Sequence, residues 1–201
     1  MVSPDTLTPA LLSTTYFGPI QWYQKLHRHK PCLIERHESF IKQTYRNRMV
    51  IATANGAQTL SIPVTHDDSM LITDIRISDH ANWRHVHWNA LASAYGESAF
   101  FEYYQDDIRP FFEQKWEFLY DFNRELVDVV RGIAGIKKEL RYSEEYIVAS
   151  PADEDLRCYS FLGTPTLPNR EPLPTYWQVF SERVPFEPNL SILDYIFNEG
   201  K

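Results

Sequence analysis

Glycine is scarce in this chain and cysteine nearly absent, and each shortage closes off a kind of chemistry. Seven glycines in 201 residues leave little for phosphate-cradling loops. No Gly-x-x-x-x-Gly-Lys-Ser/Thr, Gly-x-Gly-x-x-Gly or Gly-x-Ser-x-Gly occurs, so P-loop, dinucleotide-binding and nucleophile-elbow sites lack their supports. Cys32 and Cys158 are too few for a disulfide framework, which points to a reducing compartment. Without a cysteine cluster or a His-x-x-x-His spacing, no metal is expected. His85 and His87 do not change this, because on a helix they point about 200° apart. No apolar window approaches the roughly 20 residues that cross a bilayer, and the N-terminus has no basic n-region. A cytoplasmic protein without membrane insertion is the expectation. Nor is there an excess of positive charge: 20 basic against 27 acidic residues give a net charge of -7, which disfavours a nucleic-acid backbone as partner.

What is present is a substantial apolar fraction, 43% with 14% aromatic, enough for one buried core in one domain. Residues 1–13 have little pattern and read as a loose arm, with a single domain over 14–201. Ile20, Tyr23 and Leu26 or His27 share one helical face; Pro31 ends that helix, and CLIE reads as a buried strand. Asn55-Gly56 between two apolar runs predicts a hairpin. MLITDIRI alternates as a strand, and Asp79 or Asn82 can cap the helix that follows, whose stripe is Trp83, His87, Ala90, Leu91 and Ala94. The clearest helix is WEFLYDFNRELVDVVRGIAG. LGTPTLPNREPLPTYWQVFSERVPFEPN carries six prolines and reads as a lid or a structural wrap over about 163–188; SILDYIFNEG closes the chain as a helix capped by Ser191. The fold class is α/β or α+β, with a mixed sheet from the N-terminal half, helices packed on it, a Pro-rich wrap and a terminal helix.

Chemistry concentrates between Asp74 and Tyr104, where four carboxylates, three histidines and seven aromatics fall together. His87, one turn after Trp83 on an apolar face, is either a core histidine satisfied by a backbone carbonyl or a general base oriented by a carboxylate such as Asp79 or Asp74. KQTYRNR, read as an extended strand, puts Gln43, Tyr45 and Asn47 on one face and Arg46 and Arg48 on the other. Paired guanidinium forks suit a phosphate or carboxylate, and a charged sheet face is the equal alternative. Cys32, in a buried strand, reads as packing.

Four stretches, YFGPIQWY, KQTYRNRMVI leading to TLSIPV, ISDHANWRHVHWNALASAYGESAFFEYY and FEPNLSILDYIFNEG, resemble the WbqC-like family in the form found in Bacteroidetes. The resemblance runs from about Tyr16 to Gly200. It implies weight on Gln43, Asn47, Arg48, Trp83, His87, Tyr95 and Phe101. Thr14 and Thr15 stand where other branches have Gln-Pro before the tyrosine that is Tyr16 here. It also implies a role in surface-polysaccharide (O-antigen) biosynthesis by acyl or aminoacyl transfer to an amino sugar. On that reading His87 with Asp79 is catalytic, and Gln43, Arg46, Asn47, Arg48, Trp83, Tyr95 and Tyr16 bind substrate. No tightly bound cofactor is implied; an acyl thioester, its carrier or a nucleotide sugar is the co-substrate. The alternatives are a non-catalytic sugar- or partner-binding protein and a thioester or peptide hydrolase. The oligomeric state is left open.

Overall fold

The structure, a computed structural model, describes residues 10–28, 32–149, 154–157, 173 and 175–200. Its base is a four-stranded parallel sheet in the order β7-β2-β1-β8. β1 (Ala10–Ser13) pairs with β2 (Cys32–Glu35) and with β8 (Glu154–Asp155), and β2 pairs with β7 (Arg141–Tyr142). Helix α1 (Ile20–Arg28) makes the crossover from β1 to β2, as a parallel pair requires. The loose arm expected over residues 1–13 does not include 10–13, which form this strand, and residues 1–9 lie outside the described residues. ALLS is a central strand, buried on both faces, and such a strand reads as a plain apolar run with no period to betray it.

The expected single mixed sheet of the N-terminal half is divided. β3 (Arg48–Thr53) and β4 (Gly56–Ser61) form their own antiparallel hairpin, while β5 (Val64–Thr65) and β6 (Arg76–Ile77) form a second small pair. The hairpin turns one residue earlier than Asn-Gly suggests. Thr53 pairs with Gly56 across Ala54-Asn55, and Gly56 takes the positive φ of 97°. MLITDIRI is mostly not a strand; Ile72–Asp74 coil into a 3-10 turn ahead of β6. KQTYRNR is not extended either, since residues 42–47 form turns and only Arg48 enters a strand.

Helix α2 (Trp83–Tyr95) starts without a side-chain cap, because Asn82 adopts a left-handed conformation and neither it nor Asp79 caps it. Helices α3 (Phe101–Ile108), α4 (Pro110–Glu113) and α5 (Leu119–Ile133) follow. α5 buries Leu119, Tyr120, Asn123, Leu126, Val127 and Val130, the face its period predicts. Terminal helix α6 (Ile192–Glu199) is capped by Ser191, whose side chain accepts from the Leu193 amide. One aromatic-rich core, including Tyr16, Phe17, Trp83, Phe111, Phe112 and Phe122, joins these elements. Of the Pro-rich stretch, residues 162–172 and 174 lie outside the described residues, as do Pro31 and Cys158. Cys32 is buried, with its thiol 3.7 Å from the Lys25 carbonyl.

The β1–α1 loop is tight where it passes the core. Phe17 has φ of 41°, and a Cβ added at Gly18 would sit 2.2 Å from Thr15 Oγ1 and 3.0 Å from its Cβ. Thr15 is 1% exposed and has no room to give. Gly18→Ala is expected to lower the unfolding free energy by about 1–3 kcal/mol, measurable by urea denaturation.

Candidate functional site

In parallel sheets, ligands bind outside the carboxyl ends of the strands. β1 ends at Ser13, and three residues later Tyr16 enters a buried seam between the β1–α1 loop, the 42–47 turn and α2. The Tyr16 amide donates to the Tyr45 carbonyl at 2.8 Å. Its hydroxyl lies 2.8 Å from His87 Nδ1, and the Trp83 ring meets the His87 ring edge-on at 5.2 Å. Asn47 donates from Nδ2 to the Ile62 carbonyl at 2.9 Å. Arg48 pairs in register with Ser61, whose backbone hydrogen-bonds His87. Tyr16, Asn47, Arg48, Trp83 and His87 thus surround one end of the hairpin.

Burial governs their chemistry. His87 is 3% exposed, and desolvation lowers its pKa to about 4, against which the Ser61 hydrogen bond acts weakly. Its imidazole is therefore neutral at neutral pH. Burial likewise holds the Tyr16 hydroxyl protonated. Three polar atoms buried without a hydrogen-bond partner belong to residues of this seam, Asn47 Oδ1, Arg48 Nε and Trp83 Nε1; Arg46 Nη1 and Asn123 Oδ1, on the neighbouring turn and on α5, are also unpartnered. Folded proteins leave few such atoms, so a concentration of them calls for an explanation.

The remaining sequence candidates sit elsewhere or do other work. Arg46 does not stand beside Arg48 as an anion clamp. It is 1% exposed and grips Glu38 through Nε at 2.9 Å and Nη2 at 2.5 Å, with Ser13 Oγ 2.8 Å from Nη2. The turn replaces the strand alternation that would have set the two guanidinium groups side by side. Gln43 is exposed with φ of 61°. Tyr95 is fully buried and gives its hydroxyl hydrogen to Asp194 at 2.8 Å while accepting from the Ala52 amide at 3.1 Å, so it ties α6 to α2 and β3. Asp79 does not orient His87. It pairs with Arg84 at 2.5 Å and Lys115 at 3.0 Å, and these two cations hold its carboxyl below the usual range. Asp74 is exposed and accepts from Ser69 at 2.6 Å. Among the described residues no group of histidine, cysteine and carboxylate side chains could hold a metal, and no helix is long and apolar enough to cross a membrane.

Sequence reasoning missed Glu35, Glu38, Asn123 and Arg157. Glu35, 1% exposed at the end of β2, accepts from Ser143 Oγ at 2.5 Å and from the His37 and Ile147 amides at 2.8 and 2.9 Å. Arg157 reaches it at 3.3 Å and also clasps Asp155 at 2.7 Å. Asn123 donates to the Arg46 carbonyl at 2.8 Å. The one signal was ERHE, two carboxylates three residues apart directly after an apolar strand.

The architecture is an α+β fold with a buried polar seam outside the carboxyl edge of a parallel sheet. The chain belongs to the WbqC-like protein family, whose model matches residues 14–160. It is 27% identical over 190 residues to the "uncharacterized protein Rv1507c" of Mycobacterium tuberculosis, covering 80% of each chain. No solved structure matches it.

Proposed function

We propose that the seam is the active site of a transferase that moves an acyl or aminoacyl group onto the amine of an amino sugar or a related small acceptor. The observation that carries this is the set of buried, unpartnered polar atoms around Tyr16 and His87. Asn47 offers an acceptor; Arg48 and Trp83 offer donors. Together they suit a substrate rich in hydroxyl, amide or carboxylate groups. Arg48, half-buried at the start of β3, takes the anionic part of donor or acceptor in place of Arg46. The acceptor amine attacks the carbonyl carbon of an activated acyl donor such as a thioester; the C–N bond forms as the C–S bond breaks. His87 accepts the amine proton at Nδ1 once Tyr16 yields that position, and the proton passes on to the leaving thiolate.

Mass-spectrometric detection of amide product from acyl-CoA donors and amino-sugar acceptors tests the reading. His87→Gln is expected to lower kcat by about 10²–10⁴, and Arg48→Ala to raise KM for an anionic donor about tenfold or more. With the His87 pKa near 4, protonation removes the base only in acid, so kcat/KM expressed per unprotonated acceptor amine should be flat above about pH 5 and fall below it. Full activity in His87→Gln, or an acid limb near pH 6.5, rules out His87 as base. A second reading rests on Tyr16 occupying Nδ1 and Ser61 taking a further bond: a non-catalytic sugar-binding protein in which His87 is structural. Saturable binding of the acceptor that Arg48→Ala weakens, without turnover of any donor, would favour it.

A further inference from the structure

On the opposite side of the first turn of α2 lies an open cleft of about 430 Å³, lined among others by Asp79, Arg84, His85, Trp88, Arg109 and Lys115. The helical separation that buries His87 turns His85 outward into this cleft. Arg84 lies over the Trp83 ring at 4.7 Å. Its Nη1 bonds Asp79 at 2.5 Å and its Nε bonds the Gln114 carbonyl at 3.0 Å, yet Nη2 is buried without an acceptor. Lys115 Nζ is 3.0 Å from Asp79. Arg109 pairs with Glu113 at 2.6 Å and lies 5.8 Å above the half-buried Trp88 ring. Arg84, Arg109 and Lys115 outweigh Asp79 and Glu113 by one positive charge, in a chain whose net charge is -7. The first turn of α2 has no acidic residue and no side-chain cap, so the positive end of its dipole lacks the carboxylate that usually sits there.

We propose that this cleft binds a phosphoryl ester carrying a ring, a sugar phosphate or a nucleotide. Arg84 and Lys115 take the phosphate oxygens and Trp88 provides a face for the ring. A guanidinium with one N–H pair uncommitted matches phosphate oxygens, and an aromatic face is attractive to sugars and bases alike. Asp79 competes with the ligand for both cations. The site is separate from the seam, and the inference does not rest on the transferase reading.

Isothermal titration of the full chain at low ionic strength, with sodium phosphate, glucose 1-phosphate and UDP-glucose as three separate probes, decides it. At least one ester is expected to bind. Arg84→Gln is expected to weaken that binding about ten- to a hundredfold and the solvent-exposed Lys115→Gln severalfold, whereas Asp79→Asn should tighten it by releasing the two cations. Arg48→Ala, in the seam, should leave it unchanged. Tighter binding of UDP-glucose than of glucose 1-phosphate selects a nucleotide; equal affinities select the sugar phosphate. The proposal is overturned by no heat from either ester up to about 10 mM, or by ester affinity no better than that of sodium phosphate. It is equally overturned if folded Lys115→Gln and Arg84→Gln bind as well as the parent chain, or if Asp79→Asn weakens binding.

Discussion

Replacing Arg46 by alanine is expected to cost about 3–5 kcal/mol of unfolding free energy, the penalty for leaving a buried carboxylate without its partner. Glu38 is 5% exposed, and burial pushes its pKa above the ordinary 4.5 even with Arg46 beside it. Once the guanidinium is gone, desolvation and the nearby Glu35 are opposed only by the Ser13 hydrogen bond, and Glu38 should take up a proton instead of staying charged. The sign of the pH dependence follows. A carboxyl whose folded pKa is raised gives its greatest stability below the unfolded pKa, and that contribution is lost as pH rises through the folded one. Arg46→Ala should therefore be most damaging at neutral and alkaline pH and recover partly in acid. Glu38→Gln together with Arg46→Met, which removes both charges, should be milder than Arg46→Ala alone. Urea titrations of the three variants between pH 5 and pH 8 would check this; a loss below about 1 kcal/mol for Arg46→Ala would show the cluster to be well hydrated.

Asp194→Ala should be comparably damaging, by about 3 kcal/mol or more, because it strands several buried donors at once. Asp194 is fully buried in α6. It accepts from Tyr95 at 2.8 Å, from Gln178 Nε2 at 3.0 Å and from the Tyr176 hydroxyl. No cation is among the causes that set its titration, and burial raises its pKa above 3.8. By the same linkage, its contribution to stability is largest in acid and declines as pH rises through the folded pKa. Asp194→Asn keeps an acceptor oxygen for the phenols and removes the buried charge, so it should retain most of the stability and flatten that part of the pH dependence. In Asp194→Ala, amide exchange in α6 should accelerate before that in β3, since the bonds from Tyr95, Tyr176 and Gln178 to the carboxylate tie α6 down, whereas the Ala52 amide of β3 keeps the Tyr95 hydroxyl as its acceptor. Uniform acceleration across both elements would mean that α6 unfolds only with the whole chain.

Local order was the most legible part of the chain. The 3.6-residue stripe of α5, the Ser191 cap of α6, the crossover helix α1 and the strand CLIE all carry their structure in nearest-neighbour chemistry, and each is present. The failures have a common cause. ALLS is too short to show a period, and RYSEEYIVASPADEDLR, which reads as one short strand, supplies two, β7 and β8; their strand state is conferred by partners that lie far along the chain. KQTYRNR alternates like a strand, but Arg46 gains more from turning inward to Glu38 than from a regular ladder. Of the candidate residues, Tyr16, Asn47, Arg48, Trp83 and His87 do converge. Asp79 was drawn in by its residue type and Tyr95 by the family resemblance, and both face other partners.

By itself, then, the sequence determined the family, a class that mixes helices and strands, the helical faces and the neighbourhood of His87, because composition, periodicity and motif order are properties of adjacent residues. Only the tertiary structure decided which charges are buried together and what each histidine meets. Arg46 and Glu38 pair across a turn, and Glu35 and Arg157 pair across 122 positions. His87 points into the core while His85, two residues earlier on the same helix, opens onto a cationic cleft. Coulomb energy and desolvation depend on distance and burial in space, and neither is written in the order of the residues.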